Sequence, residues 1–183
     1  MAKEDEIAGL RPDAPFADAG RTIIRARFRD MWTYRDGTLS GDEEALHDMR
    51  VGSRRLRAAL DVFAAVFHGA EYRRLHRITA RLTDELGGVR DHDVMLLNLR
   101  QYRKRVARDE RPGVAVVMVT LSAEREVARR RLRRFFEYLQ GHEYPERMER
   151  LFAEDEPSAV PGEGRSAVGV GRLDGGRPVA RKV

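Results

Sequence analysis

The sequence contains no cysteine and almost no lysine, and each scarcity narrows what the chain can do. Without cysteine it can form no disulfide, no thiolate metal site and no cysteine nucleophile. Lysine occurs only at Lys3, Lys104 and Lys182, although Lys and Arg together number 35 against 30 Asp and Glu. Arginine therefore carries the positive charge, and its planar guanidinium donates paired hydrogen bonds to phosphate or carboxylate oxygens.

Long apolar runs and strand signals are also scarce. The longest apolar run, residues 114–121, is too short to cross a bilayer. The first fifteen residues mix acidic and basic side chains and lack the apolar core of a signal peptide. We therefore expect a protein of the cytoplasm that does not associate with membranes.

Apolar residues recur at three- and four-residue spacing through most of the chain, which predicts an all-α fold. We expect a bundle of about four to five antiparallel helices over residues 16–34, 40–67, 71–86, 91–108 and 112–140. Turns are expected at Asp36-Gly37 and at Gly87-Gly88. Arg125 falls inside the apolar stripe of the fifth helix formed by Val117, Leu121, Ala128, Leu132 and Leu139, so it should pair with a buried acid.

The composition divides the chain into three parts. Residues 1–15 are expected to form a flexible segment, and residues 16–144 the helical bundle. Residues 145–183 lead into a stretch rich in Gly, Pro, Ser and Arg without periodic apolar positions. Such a composition predicts a disordered or remnant tail.

The second expected helix has two opposite faces. At about 100° per residue, His47, Arg50, Arg54 and Arg57 lie within roughly 80° of one another, with Arg55 at the margin. The opposite side carries Met49, Leu56, Leu60, Phe63 and Phe67. Like charges at this spacing repel, so either a bound anion or acids of a neighbouring helix must offset them.

The third expected helix repeats this design. Its apolar stripe is formed by Leu75, Ile78, Leu82 and Leu86, and three arginines lie on the opposite side: Arg74, Arg77 and Arg81. Two helices with the same arrangement indicate a surface built to hold a polyanion.

Two motifs carry a family resemblance. His-x-x-Arg-Val-x-x-Arg-Arg-Leu-Arg at positions 47–57 is followed by Leu-Gly-Gly-Val-Arg-Asp-His-Asp-Val at 86–94. Together they resemble the CHAD domain, the conserved histidine α-helical domain, over roughly residues 16 to 140. The resemblance implies a helical bundle of bacteria and archaea that binds inorganic polyphosphate in a basic groove, without catalysis and often at polyphosphate granules. Carried over by position, the binding residues would be His47, Arg50, Arg54, Arg55, Arg57 and, from the second motif, Arg90.

The sequence departs from the family pattern in its length. CHAD domains generally hold two such bundles in tandem, whereas only the first bundle is recognisable here. One bundle offers one wall of the groove, so we expect a twofold homodimer, formed on its own or bridged by ligand, to complete it.

The histidines are open to more than one interpretation. His47 could bind a metal, but nearby guanidiniums would repel a divalent cation, so a phosphate partner is favoured. His92 lies between Asp91 and Asp93 at an expected helix start, where capping explains this composition. Arg90 and Asp91 could equally form a structural ion pair at the Gly-Gly turn.

The resulting prediction is a polyphosphate-binding protein that is not an enzyme and needs no cofactor or metal. Nucleic-acid binding is the main alternative, because it uses the same electrostatics. Aromatic residues make up only 7% of the chain, and most fall on apolar stripes rather than among the arginines. A third alternative is an accessory module of a phosphohydrolase partner.

Overall fold

The computed structural model describes residues 7–153. These residues form six α-helices and no β-strand, which confirms the all-α prediction. A 3₁₀ turn, Phe63–Ala65, follows the third helix. The α-helices are α1 (Phe16–Thr33), α2 (Arg35–Ser40), α3 (Glu43–Val62), α4 (Ala70–Arg105), α5 (Arg111–Gly141) and α6 (Tyr144–Leu151).

The start of α3 matches the sequence signal, whereas the preceding turn does not. Asp42 caps α3, because its carboxylate accepts hydrogen bonds from the backbone amides of Glu44 (2.8 Å) and Ala45 (3.3 Å). Asp36 and Gly37 were expected to form a turn but lie inside α2. The helix ends instead at Gly41, whose φ of 100° is a left-handed conformation that glycine adopts without strain.

The expected break at Gly87-Gly88 is absent, because α4 continues through both glycines as one helix of 36 residues. Glycine disfavours a helix by about 1 kcal/mol per residue relative to alanine. Burial on both sides of the pair offsets this cost, since Leu82, Leu86, Val89 and Leu96 are all buried on one stripe of α4. The predicted third and fourth helices are therefore one element.

The core lies between α1, α3, α4, α5 and α6. The apolar face predicted for α3 is confirmed, with Met49, Leu56 and Leu60 fully buried. Gly52 faces α1 closely, since a Cβ there would lie 3.0 Å from the Cα of Met31. The two chain segments can approach at this point because glycine has no side chain.

The boundary expected at residue 144 is wrong. Residues 144–151 form α6, and Tyr144, Met148 and Phe152 are fully buried in the same core. The Tyr144 hydroxyl lies 2.8 Å from the Thr79 hydroxyl of α4. The bundle thus extends to at least Phe152; the rest of the predicted tail, from residue 154, and residues 1–6 lie outside the described residues.

Ion pairs hold α6 against two other helices. Arg147 donates two hydrogen bonds to Glu71 of α4, at 2.5 Å, and Arg29 of α1 donates two to Glu149, at 2.7 Å. The Arg147 hydrogen bonds lower the pKa of Glu71 despite its partial burial. The Arg29 hydrogen bonds lower the pKa of Glu149 in the same way.

The second half of α4 and the first half of α5 form a helical hairpin that extends beyond this core. The buried residues of α5 begin only at Leu132. Val116 is 66% exposed and Val119 71% exposed. Val117, expected on a buried stripe, is also exposed. The hairpin therefore has apolar side chains that the described residues do not cover.

Arg125 confirms a sequence prediction within this hairpin. Its Nε donates a hydrogen bond to Asp93 of α4, whose side chain is only 2% exposed. Its Nη2 lies 3.3 Å from Glu43 at the start of α3. An arginine on an apolar stripe is thus matched by a buried acid, as the cost of an unpaired buried charge requires. None of the helices in residues 7–153 is both long and apolar enough to span a membrane.

Candidate polyanion-binding groove

Three of the predicted arginines meet in one open groove between α3 and α4. Arg50, Arg54 and Arg57 follow one another at i, i+4 and i+7, so they lie on the same side of α3. The groove encloses about 660 Å³. Its remaining lining residues are Ala58 and Asp61 of α3 and Thr83, Asp84, Gly87, Gly88 and Asp91 of α4.

The glycine pair keeps the α4 wall of the groove low. A Cβ at Gly87 would lie 3.5 Å from Nε of Arg50, so the arginine packs directly over that backbone. A Cβ at Gly88 would meet no heavy atom of the described residues within 4 Å. The pair therefore leaves room for a ligand beside the arginines. The Gly-Gly of the second motif contributes space rather than a turn.

Acids of α4 balance only part of the positive charge. Asp91 lies 3.8 Å from Arg50, and this is the relief by a neighbouring helix that was the alternative explanation of the stripe. Arg54 and Arg57 are exposed and have no carboxylate within 4.0 Å in residues 7–153. These two guanidiniums remain free to bind an external anion.

Among the described residues the formal charge of the groove is nevertheless balanced, because three aspartates line it beside three arginines. One of them, Asp61, lies close to His76 of α4, with 2.8 Å between its carboxylate and the histidine Nε2. The nearby Tyr72 hydroxyl donates to the Leu60 carbonyl oxygen. Burial raises the pKa of Tyr72 to about 12. The arrangement of charges, rather than their sum, makes the groove a candidate site.

The other predicted residues of the first motif lie outside the groove. His47 is exposed one turn before Arg50 and does not line it. Arg55 is half-buried, 100° around α3 from Arg54, and Arg90 is half-buried on α4. Asp91 is near Arg50, and no ion pair joins it to Arg90 in the described residues. A binding role for these three basic residues stays a prediction.

The second arginine stripe is not brought to the groove either. Arg81 turns toward α5, where its guanidinium carbon lies 4.6 Å from the centroid of the Phe135 ring. It is also 3.9 Å from Glu85. Arg74 is half-buried and Arg77 exposed, and neither lines the groove. The two similar stripes face different directions, so the structure does not combine them into one surface.

The capping interpretation of His92 is wrong. His92 lies in the interior of α4, where its Nδ1 is 2.6 Å from the Gly88 carbonyl oxygen. Its Nε2 lies 3.6 Å from Glu124 of α5. The Asp-His-Asp triplet therefore joins α4 to α5, through His92 with Glu124 and through Asp93 with Arg125. Within residues 7–153 no group of three His, Asp or Glu side chains is arranged to hold a metal ion.

Comparison with known proteins supports the resemblance of the two motifs. The sequence model of the CHAD domain matches residues 22–174, which is most of the chain. The match extends beyond the roughly 16–140 expected and includes part of the predicted tail. Curated proteins and solved structures gave no match. The long family match, together with the helical bundle and the position of the first motif on α3, shows that the chain belongs to the CHAD-domain family.

Proposed function

We propose that this protein binds inorganic polyphosphate in the groove between α3 and α4. The observation that carries the proposal is the pair Arg54 and Arg57, which share the groove and have no carboxylate partner in the described residues. Guanidiniums recognise phosphate oxygens through paired, charge-assisted hydrogen bonds. A linear phosphate chain offers the same group repeatedly along its length.

The spacing of the arginines suits an extended ligand. Arg50 and Arg57 are seven residues apart, which corresponds to about 10 Å along the helix axis. Arg54 lies between them on the same side of α3. A chain lying along α3 would therefore meet the guanidiniums in succession, with the Gly87-Gly88 backbone opposite it.

Nucleic acid remains the second candidate, and the groove favours it less. Single-stranded nucleic acids bind best where aromatic side chains stack on bases among the cations. Within the described part of the chain, the lining of the groove includes no aromatic residue. Phe63, Phe135 and Phe136 are buried in the core, so they offer no exposed platform.

We further propose that binding is not followed by catalysis by this chain, and that it takes place in the cytoplasm at polyphosphate granules. Of residues 7–153, neither a histidine nor a serine lines the groove. A phosphohydrolase partner would supply hydrolysis if the chain serves as an accessory module. Release of orthophosphate from polyphosphate incubated with the purified chain would contradict the non-catalytic assignment.

The decisive experiment compares long-chain polyphosphate, RNA and single- and double-stranded DNA as competitors at fixed physiological salt. We expect polyphosphate to bind most tightly and its affinity to fall steeply with salt. The double variant Arg54→Gln/Arg57→Gln should lose at least tenfold in affinity, because each charge-assisted contact contributes about 1.5–3 kcal/mol.

The matched control is Arg130→Gln/Arg134→Gln, which removes the same charge from an exposed part of α5 outside the groove. It should change affinity less than threefold, and both variants should retain the helical circular dichroism of the wild type. Equal losses in the two variants, or tighter binding of RNA by the wild type, would contradict the proposal.

A second copy of the chain is proposed to complete the groove, as a twofold homodimer. The exposed apolar side chains of the α4–α5 hairpin support this proposal, since association with a second chain would remove them from water. Light scattering at micromolar protein, with and without polyphosphate, should give the mass of two chains at least when ligand is present. A monomer under both conditions would rule out the homodimer.

A further inference from the structure

The tip of the α4–α5 hairpin holds a second group of cations, far from the groove. Arg100, Arg103 and Lys104 at the end of α4 face Arg111 and Met118 of α5 across an open pocket of about 440 Å³. The four basic residues belong to neither sequence motif nor to either arginine stripe. Among residues 7–153, they are the polar residues that line this pocket.

Two of these cations, Arg100 and Arg103, continue a side of α4 that carries mostly apolar residues in the body of the bundle. Leu82, Leu86, Val89, Asp93, Leu96, Arg100 and Arg103 follow one another at alternating spacings of four and three residues, which places them on one side of α4. That side faces α5, as Asp93 shows by its contact with Arg125. At the tip, the seam between two helices is therefore lined by positive charges.

The tip cations differ from Arg125 in the acidic side chains that surround them. Arg125 in the same seam has Asp93, Glu43 and Glu126 within 4.0 Å. In the described residues, none of the four tip cations has a carboxylate within that distance. Cations brought together without acids repel one another, and a bound anion would remove that repulsion.

The helix dipole explains only part of this group. Arg103 and Lys104 lie in the last turn of α4, where the negative end of the dipole favours cations. Arg111 is the first residue of α5, where the positive end of the dipole disfavours them. The first turn of α5 contains no acid, and Arg111 Nε is buried without a hydrogen-bond partner in the described residues.

We propose that this tip pocket, formed by Arg100, Arg103, Lys104 and Arg111, binds a multiply charged phosphate-class anion. It is a site separate from the α3–α4 groove and goes beyond the function proposed above. Four cations suit an anion with several negative charges and several acceptor oxygens, such as pyrophosphate or the end of a phosphate chain. Such an anion would accept from the unpaired guanidiniums and lie at the amino end of α5, where backbone dipoles favour it.

The test uses pyrophosphate as the probe in calorimetric titrations of the full chain. The variant Arg100→Gln/Arg103→Gln removes two cations of the pocket. Its matched control, Arg105→Gln/Arg108→Gln, removes two exposed cations at the same end of the molecule that do not line the pocket. A third variant, Lys104→Gln, removes a single pocket cation and disturbs the hairpin least.

We expect the wild type and the matched control to bind pyrophosphate saturably, with one site per chain. The pocket variant should lose at least tenfold in affinity, and Lys104→Gln should lose severalfold. Absence of saturable binding by the wild type would overturn the proposal. An equal loss in the matched control would also overturn it, because it would indicate a diffuse field rather than a site.

The groove variant Arg54→Gln/Arg57→Gln separates this proposal from the function proposed above. Pyrophosphate binding should persist in that variant, and its loss there would place the anion in the groove and overturn the tip site. Residual binding of long-chain polyphosphate to the groove variant, displaced by pyrophosphate, would identify a chain end as the occupant. If the variant binds pyrophosphate but no long chain, the occupant is a free short phosphate.

Discussion

The two sides of this bundle use arginine in opposite ways. Around α6, Arg147 and Arg29 each donate paired hydrogen bonds to a glutamate of another helix. In the groove and at the hairpin tip, arginines such as Arg54 and Arg100 have no carboxylate partner in the described residues. The number of arginines is therefore a poor guide to function, and the placement of acids distinguishes structural cations from those free to bind a ligand.

Truncation after Pro145 is expected to cause the largest loss of stability, because it removes most of α6. This truncation removes Met148 and Phe152, which are fully buried, and the glutamate that pairs with Arg29. Loss of a large buried side chain costs about 2–5 kcal/mol, and the whole domain is stable by only about 5–15 kcal/mol. We expect the melting temperature to fall by more than about 10 °C or the cooperative transition to disappear.

A matched truncation after Ala153 keeps the whole of α6, so the difference in melting temperature between the two shortened chains measures the contribution of α6. Differential scanning calorimetry of the two truncations against the full chain provides the measurement. Similar stability of both shortened chains would show that α6 contributes little to the core.

The next largest effect on the free energy of unfolding is expected at the ion pair between Arg125 of α5 and Asp93 of α4. Arg125→Met leaves the carboxylate of Asp93 buried without its main partner. Breaking a buried pair from one side costs about 3–5 kcal/mol, whereas replacing both partners by apolar residues costs little. Urea denaturation should therefore show a large loss for Arg125→Met and recovery of most of it in Arg125→Met/Asp93→Leu. No recovery in the double variant would mean that the arginine acts by its packing alone.

The smallest effect is the pH dependence contributed by Glu71. Its pKa is lowered in the folded protein, chiefly by the hydrogen bonds from Arg147, so the unfolded chain binds a proton more readily. The resulting stabilisation is present above a pH of about 4.5 and is lost as the pH falls through the folded-state pKa. Since the side chain is 38% exposed, solvent screening keeps the effect small.

In Glu71→Gln, the melting temperature should therefore fall slightly less steeply at acid pH than it does in the wild type. Between pH 6 and 7, the change in melting temperature should be the same in both proteins. Thermal melts between pH 3 and 7 measure both. If the melting temperature of Glu71→Gln fell with decreasing pH as steeply as that of the wild type, Glu71 would not contribute to the acid sensitivity.

The periodicity of apolar residues in the sequence correctly predicted those features of the helices that depend on packing in the core. The core face of α3, the length of α5 and the acid partner of Arg125 all follow from spacing, because a buried stripe or a buried charge constrains its surroundings strongly. The continuous α4 could not be predicted from local signals. Glycine propensity favours a break at Gly87-Gly88, whereas the tertiary burial of Leu86 and Val89 overrides it.

Two further misses have different causes. The apolar stripe along α6 and its C-cap consists of Tyr144, Met148 and Phe152, at i, i+4 and i+8. This stripe was present in the sequence, but it has only three members and borders a low-complexity stretch. The grouping of the groove arginines apart from Arg74, Arg77 and Arg81 depends on how α3 and α4 are rotated against each other. That rotation is set by interhelical packing, which the spacing within a single helix does not specify.

The unbroken course of α4 fixes the distance between the two proposed anion sites. Gly87 in the groove and Arg103 at the tip are 16 residues apart on one helix, which is about 24 Å at 1.5 Å per residue. A helix without a joint cannot shorten that interval, so if both proposed sites bind phosphate chains, the helix would set the shortest chain that can occupy both. Oligomers with a shorter contour length can occupy one site at a time, whereas longer chains can reach both and gain avidity from the second contact.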